Sequence, residues 1–472
     1  MKTCLTLGGL LLGGVAVFLG QFNATAIPGE GDGGVAAGPD VIVGAIPDVA
    51  RYAPGTYTGT EYASYAFGST SCNIGSAQLQ WQPNPSNLHP VIPQNAYRIK
   101  NGVIEQIGMS WVKHGFCALQ QTLCGSCAPA GGGCPTVLGI GCSDPYTASL
   151  NGTQSDLKNR LPINPSTGAY SGTYTDPAAP STLPSSLRER VAIKRADLNP
   201  AQNTGAIYVA ECQYIHPEDA AGGNDDNNSS YRLFTVGSTW STTLGYPMTL
   251  TGPTIQQLPA IFAWKTAHPD VSLKALDIAG DGRMFVGGRA IDNGNGTWRY
   301  EYAVQNLNSD RAGGSFSVPI PAGVTVTNIG FASPAYINGE GVTNAPWTAT
   351  VANGMITWTC EPNSQASANA LRWSTLYNFR FTANTAPAAT PPSVTLGVWK
   401  APTANSPATS VSAALVGPSA LAVPGDLDGN GSVSGSDLTL LLNGWGTAAG
   451  DLNGDGTTDG SDMAVLLGNW NG

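Results

Sequence analysis

Two stretches near the C-terminus hold the densest set of oxygen ligands in the chain. Asp426, Asp428, Asn430, Ser432, Ser434 and Asp437 occupy positions 1, 3, 5, 7, 9 and 12 of a twelve-residue loop, with Gly431 at position 6. At an offset of 25 residues, Asp451, Asn453, Asp455, Thr457, Asp459 and Asp462 repeat the spacing around Gly456. Side-chain oxygens at these positions, with the backbone carbonyl of position 7, surround a calcium ion, and the glycine makes the sharp turn that closes the loop. Without a cation the carboxylates repel one another. A solvated acidic tail would not fix the glycines and leucines at repeated places between the charges, so the spacing predicts two bound Ca2+ ions.

The elements that must hold these loops are short. Pro424 stands directly before the first loop and leaves no room for an entering helix, so each unit reads as one loop followed by one helix. Leu438, Leu441, Leu442 and Trp445 fall on the first helix, and Met463, Leu466, Leu467 and Trp470 on the second. Packing these two apolar faces together would make a small α-helical domain. Residues 425–472, with Asp at position 12 in place of Glu, resemble a type I dockerin. The resemblance implies a cohesin-like protein partner, chosen by loop positions 10 and 11, here Gly435, Ser436, Gly460 and Ser461.

The remainder is composed very differently. The chain has 472 residues and 11% charged residues, against about 25% in ordinary soluble proteins, with 60 Gly and 34 Pro. That balance disfavours helical bundles and favours turn-rich β structure. The net charge of −10 concentrates in the tail, where seven Asp and no Lys or Arg follow Pro424, leaving 24 acidic against 21 basic residues elsewhere. No basic stripe matches a phosphate backbone, which excludes nucleic acid as a partner.

The N-terminus, with Lys2, an apolar run from Leu5 to Leu19 and the small residues Ala24 and Ala26, reads as a signal peptide over 1–26 that directs secretion, with no membrane span once it is removed. Eight cysteines then remain: Cys72, Cys117, Cys124, Cys127, Cys134, Cys142, Cys212 and Cys360. An even number in an oxidising compartment predicts up to four disulfides, with connectivity left open. A zinc site on Cys124, Cys127 and His114 is the sharper alternative, weakened by the wrong spacing of Cys134 and Cys142.

Within 249–400, apolar residues alternate in short runs: Tyr300, Tyr302 and Val304; Phe316 and Val318; Tyr377, Phe379 and Phe381; Val394, Leu396 and Val398. These predict half-buried strands of a β-sandwich-like domain. Residues 27–248 form a cysteine-rich β and loop domain, and the uncharged stretch 401–424 reads as a linker. The expected fold is thus mainly β: a disulfide-stapled, β-rich body including a sandwich-like domain, plus the small paired loop-helix domain. One hairpin is explicit, with Asn101 and Gly102 at its turn, placing Ile99 opposite Ile104 and Arg98 opposite Glu105.

Outside that hairpin lie His89 and His114, which could hold copper or zinc with a third ligand from Asp144, His216 or Glu211; an aspartate placed like Asp144 is more often a turn cap. A glycosidase needs two carboxylates on one cleft, and Glu105, Glu211, Glu218, Asp219 and Glu301 are candidates that no motif sorts. The phrases around Cys72, from His89 to Arg98 and from Glu105 to Phe116, resemble a family of secreted bacterial proteins with similar tails, which implies a shared body fold but assigns no catalytic residue. There is no nucleophile elbow, phosphate loop, dinucleotide fingerprint or zinc-protease helix. The expectation is a secreted, extracellular or cell-surface protein whose tail docks it and whose body binds or builds. A polysaccharide-degrading enzyme and a copper or zinc enzyme using His89 and His114 are the alternatives.

Overall fold

The computed structural model describes residues 37–421, 423–429 and 431–472. The expected signal peptide and the loop ligand Asn430 lie outside the described residues.

Three five-stranded antiparallel sheets organise the body. The first runs in the order Met248–Ile255, Ser229–Val236, Ile207–Gln213, Gln94–Lys100, Val103–Met109. The second runs Ser272–Asp277, Arg283–Asp292, Trp298–Asn306, Thr375–Ala383, Val326–Ala332, and the third Thr348–Ala352, Met355–Thr359, Gly313–Pro319, Ser393–Val398, Ser410–Ala414. Period-two alternation decides how they stack. On the strand Trp298–Asn306, Tyr300, Tyr302 and Val304 enter one core with Phe316, Val318, Trp358, Phe379, Phe381, Val394 and Leu396 of the sheets around them. Ala303, one residue out of phase, faces the other way, into a second core with Tyr97, Ile99, Ile104 and Val209 of the first sheet and with Ile261 and Trp264 of the helix Ile261–Ala267. The opposite face of the first sheet meets the strands Val41–Ala45 and Thr60–Phe67 in a third core. The second sheet is therefore buried on both faces.

This layering corrects two expected boundaries. The strand Met248–Ile255 belongs to the first sheet, pairing with Ser229–Val236, and the core it borders is shared with residues beyond 260, so no division falls at 248. Part of the expected linker is folded onto the body: Ser410–Ala414 pairs with Ser393–Val398, Leu415 is fully buried, and the Tyr302 hydroxyl donates to the carbonyl of Val416 at 2.7 Å. Alternating Val, Ser and Ala suit an edge strand as well as a linker when no charge is present to tell them apart.

The hairpin forms in the expected register, Arg98 against Glu105 and Ile99 against Ile104. Its turn needs two left-handed residues, which Asn101 (φ 51°) and Gly102 (φ 80°) supply. Three disulfides, Cys72–Cys124, Cys117–Cys134 and Cys127–Cys142, staple the glycine-rich segment. Cys124 and Cys127 are thereby consumed, which removes the expected zinc site. The fourth bridge is also absent: Cys212 and Cys360 are free and lie in different cores, separated by the layers between them.

In the tail, helices Gly435–Asn443 and Gly460–Gly468 follow the two loops. Leu441 and Leu466 are buried with Val433, backed by Leu438 and Met463. The expectation that Leu442, Trp445, Leu467 and Trp470 also pack inward is wrong. A nine-residue helix presents only one narrow stripe to its partner, Leu442 and Leu467 fall outside it, and Trp445 and Trp470 lie past the helix ends, so all four are exposed.

Candidate functional site

Each tail loop is held by the carboxylate at its twelfth position. Asp437 accepts from the backbone N–H of Leu427 (2.8 Å), Asp428 (3.1 Å) and Ser434 (2.9 Å). Asp462 accepts from Leu452 (2.8 Å), Asn453 (3.1 Å) and Asp459 (2.8 Å), the same three places one repeat later. At position 1 the same holds: Asp426 accepts from Gly429 and Gly431, Asp451 from Gly454 and Gly456. Gly431 (φ 88°) and Gly456 (φ 93°) adopt the left-handed backbone the turn requires. Aspartate at position 12 is short enough to form the capping box of its helix while reaching back across the loop.

Electrostatics follow from those bonds. Burial opposes the charge of Asp437, but the amides of Asp428, Ser434 and Leu427 outweigh it and hold the carboxyl below its ordinary range. For Asp462 the amide of Asp459 leads, and the outcome is the same. Both side chains are thus kept anionic. In the first loop, ligand oxygens of Asp426, Asp428 and Asp437 all lie within 4.8 Å of one another. Asp451, Asp455, Asp459 and Asp462 do not converge to that degree. The loops are tied reciprocally: Asn471 N–H donates to Val433 O (3.1 Å), and Gly446 N–H, one repeat earlier, donates to Thr458 O (2.9 Å). Gly435, Ser436, Gly460 and Ser461 are all exposed at the helix starts. Just past the C-terminal ends of the two helices, Trp445 is 47% and Trp470 41% exposed.

The two histidines do meet. His89 Nε2 and His114 Nδ1 are 2.8 Å apart, and His114 Nε2 is 3.1 Å from the Tyr174 hydroxyl. Residues 91–92 and 112–114 pair as short strands and bring the rings together. The expected third ligand is what the fold withholds. His216 uses one ring nitrogen on the Gln80 carbonyl and the other on the Glu218 amide. Asp144 accepts from Leu119 N–H, and Glu211 accepts four hydrogen bonds from Asn95, Tyr97, Ala260 and Gln305. His216 and Glu211 are engaged elsewhere, Asp144 keeps one buried oxygen, Oδ2, without a partner, and among the described residues none of the three joins His89 and His114 in a three-ligand cluster.

Of the five candidate carboxylates, Glu218 accepts from Gln80 N–H and Asp219 is buried between Val41 N–H and Asn228. Only Glu105 and Glu301 line a common cleft, a concavity of about 650 Å3 between the hairpin and the second sheet. Glu105 is paired with Arg98 at 2.6 Å. Glu301 is 2% exposed, and burial pushes its carboxyl up to about 7 against the pull of Arg299 and Arg380. Sequence reasoning missed Arg380 of this cleft, and Gly330 paired beside it, entirely. They are brought together by sheet pairing across 50 residues of chain, and only the strand register could have revealed them.

No protein-family model matches the chain, and no curated protein matches it significantly.

Proposed function

We propose that this is an extracellular or cell-surface protein whose C-terminal pair of loop-helix units binds two calcium ions and docks, in the manner of a type I dockerin, onto a cohesin-like partner. The body acts as a non-catalytic binding or structural module. One observation carries the reading: the hydrogen bonds of Asp437 and Asp462 repeat atom for atom at an offset of 25 residues. Two loops anchored in the same way, the first with its carboxylates already converged, fit two copies of one cation. The exposed Leu442, Trp445, Leu467 and Trp470 supply an apolar docking face, and three disulfides suit an oxidising compartment. No helix among the described residues is long and apolar enough to cross a membrane.

A second reading, a polysaccharide-degrading enzyme, draws on Glu105 and Glu301 sharing a cleft. Their engagement with guanidinium groups favours ligand recognition over acid-base work.

Calorimetric titration of the full chain with calcium tests the docking reading, alongside binding to an immobilised type I cohesin domain with and without chelator. Two ions per chain and chelator-sensitive docking are expected. Absence of calcium binding at millimolar ion would sink the proposal.

A further inference from the structure

The cleft between the hairpin and the second sheet has a charge pattern opposite to that of the whole chain. Arg98, Lys100, Arg299 and Arg380 line it against only Glu105 and Glu301. Arg98 is spent on Glu105 and Asp197, and Arg299 leans on Glu301 and on the carbonyl of Asn101. Arg380 differs. Among the described residues its guanidinium has no hydrogen bond and no ion pair, although it stands directly across the sheet from Glu301 in one direction and Gly330 in the other.

Gly330 is what lets it lie there. A Cβ at that position would come within 2.6 Å of Arg380 Nε and 2.7 Å of its Cζ, so the guanidinium rests flat on bare backbone. Glu301 supplies a second unsatisfied group: one of its oxygens, Oε2, is buried with no hydrogen-bond partner among the described residues. Buried polar atoms are normally paired, and an orphan on the wall of a polar cleft marks a place where a ligand completes the network. The rim is made of amides and hydroxyls, among them Asn293, Asn295 and Thr382. Such groups match sugar hydroxyls, which donate and accept at once. The absence of an aromatic face in the lining weighs against stacked bases, and Val103, the one apolar side chain there, offers little to a peptide.

We propose that this cleft binds an anionic polysaccharide, with the Arg380 fork gripping a carboxylate or sulfate of one sugar unit and the amide rim reading the hydroxyls of its neighbours. A planar guanidinium left free and preoriented suits either acid group in a two-pronged hydrogen bond. The inference rests on reading the body as a binding module, and supplies its ligand class.

The test is affinity electrophoresis of the full chain, in chelator so that calcium does not bridge the tail to the polymer, through gels containing polygalacturonate, dextran sulfate or neutral dextran. Retardation by at least one polyanion, weakened by added salt, and none by dextran is expected. Polygalacturonate alone assigns the carboxylate, dextran sulfate alone the sulfate. Arg380→Gln should weaken retention at least about tenfold, the scale of one charge-assisted fork. Gly330→Ala keeps the charge but displaces it, and should weaken retention with an unchanged melting temperature. No retardation by either polyanion, or retardation that both variants leave intact, overturns the proposal. Calcium-dependent docking, measured on the same protein with calcium restored, stands or falls separately.

Discussion

His89 Nε2 sits 2.8 Å from His114 Nδ1 in a pocket closed by Tyr170 and Tyr174, so one imidazole must offer a lone pair to the other's N–H. Adding a proton to the accepting nitrogen would set two donors face to face.

That arrangement makes the pair an acid-sensitive element. Burial leads in lowering His89 to about 4, and burial with the His89 and Lys113 charges lowers His114 to about 3. Both folded values lie below the unfolded value near 6.5, so the unfolded chain takes up protons first as pH falls. The contribution is complete above about pH 6.5 and is lost on going down toward 4, on the order of 3 kcal/mol for His89. Denaturant unfolding at pH 7 and pH 4.5 should show a smaller acid loss for His89→Gln than for the parent.

Glu340 works in the opposite direction. It is buried against the backbone N–H of Arg160 at 3.0 Å, and burial pushes its carboxyl up to about 8 despite the Arg160 charge. Its folded value exceeds the unfolded one, so its contribution is full below about pH 4.5 and is lost as pH rises through 8. Glu340→Gln should remove this dependence and gain on the parent by roughly 2–4 kcal/mol between pH 5 and 9, read from unfolding midpoints.

Non-reducing peptide mapping should recover the bridges Cys72–Cys124, Cys117–Cys134 and Cys127–Cys142. Cys212 and Cys360 should react with a thiol reagent only after denaturation, since both are buried and burial raises the Cys360 thiol to about 12. Replacing Cys72 and Cys124 together with Ala should cost about 2–4 kcal/mol.

The two apolar stripes of the tail should separate stability from docking. Leu441→Ala and Leu466→Ala remove buried contacts and should destabilise the tail by about 2–5 kcal/mol. Trp445→Ala and Trp470→Ala, at exposed positions, should shift its melting by no more than about 0.5 kcal/mol yet weaken capture by a cohesin-like partner. Equal effects on both readouts would show the tryptophans to be structural.

What the sequence determined by itself was local. The Asn101–Gly102 turn, the Arg98–Glu105 rung and the alternating faces around Tyr300 and Phe379 are set by neighbours a few residues apart, and they form as expected. The 25-residue repeat likewise specified two matching loops, because ligand spacing and the glycine turn act within twelve residues. Tertiary structure decided everything that depended on distant chain segments. Composition could not separate an edge strand at Ser410–Ala414 from a linker, since pairing with Ser393–Val398 is what makes it a strand. Cysteine counting could not show that Cys212 and Cys360 lie in different cores. Nor could periodicity foresee that Arg380 lies free beside Gly330, across the sheet from Glu301, because register between strands dozens of residues apart fixes which side chains share a cleft.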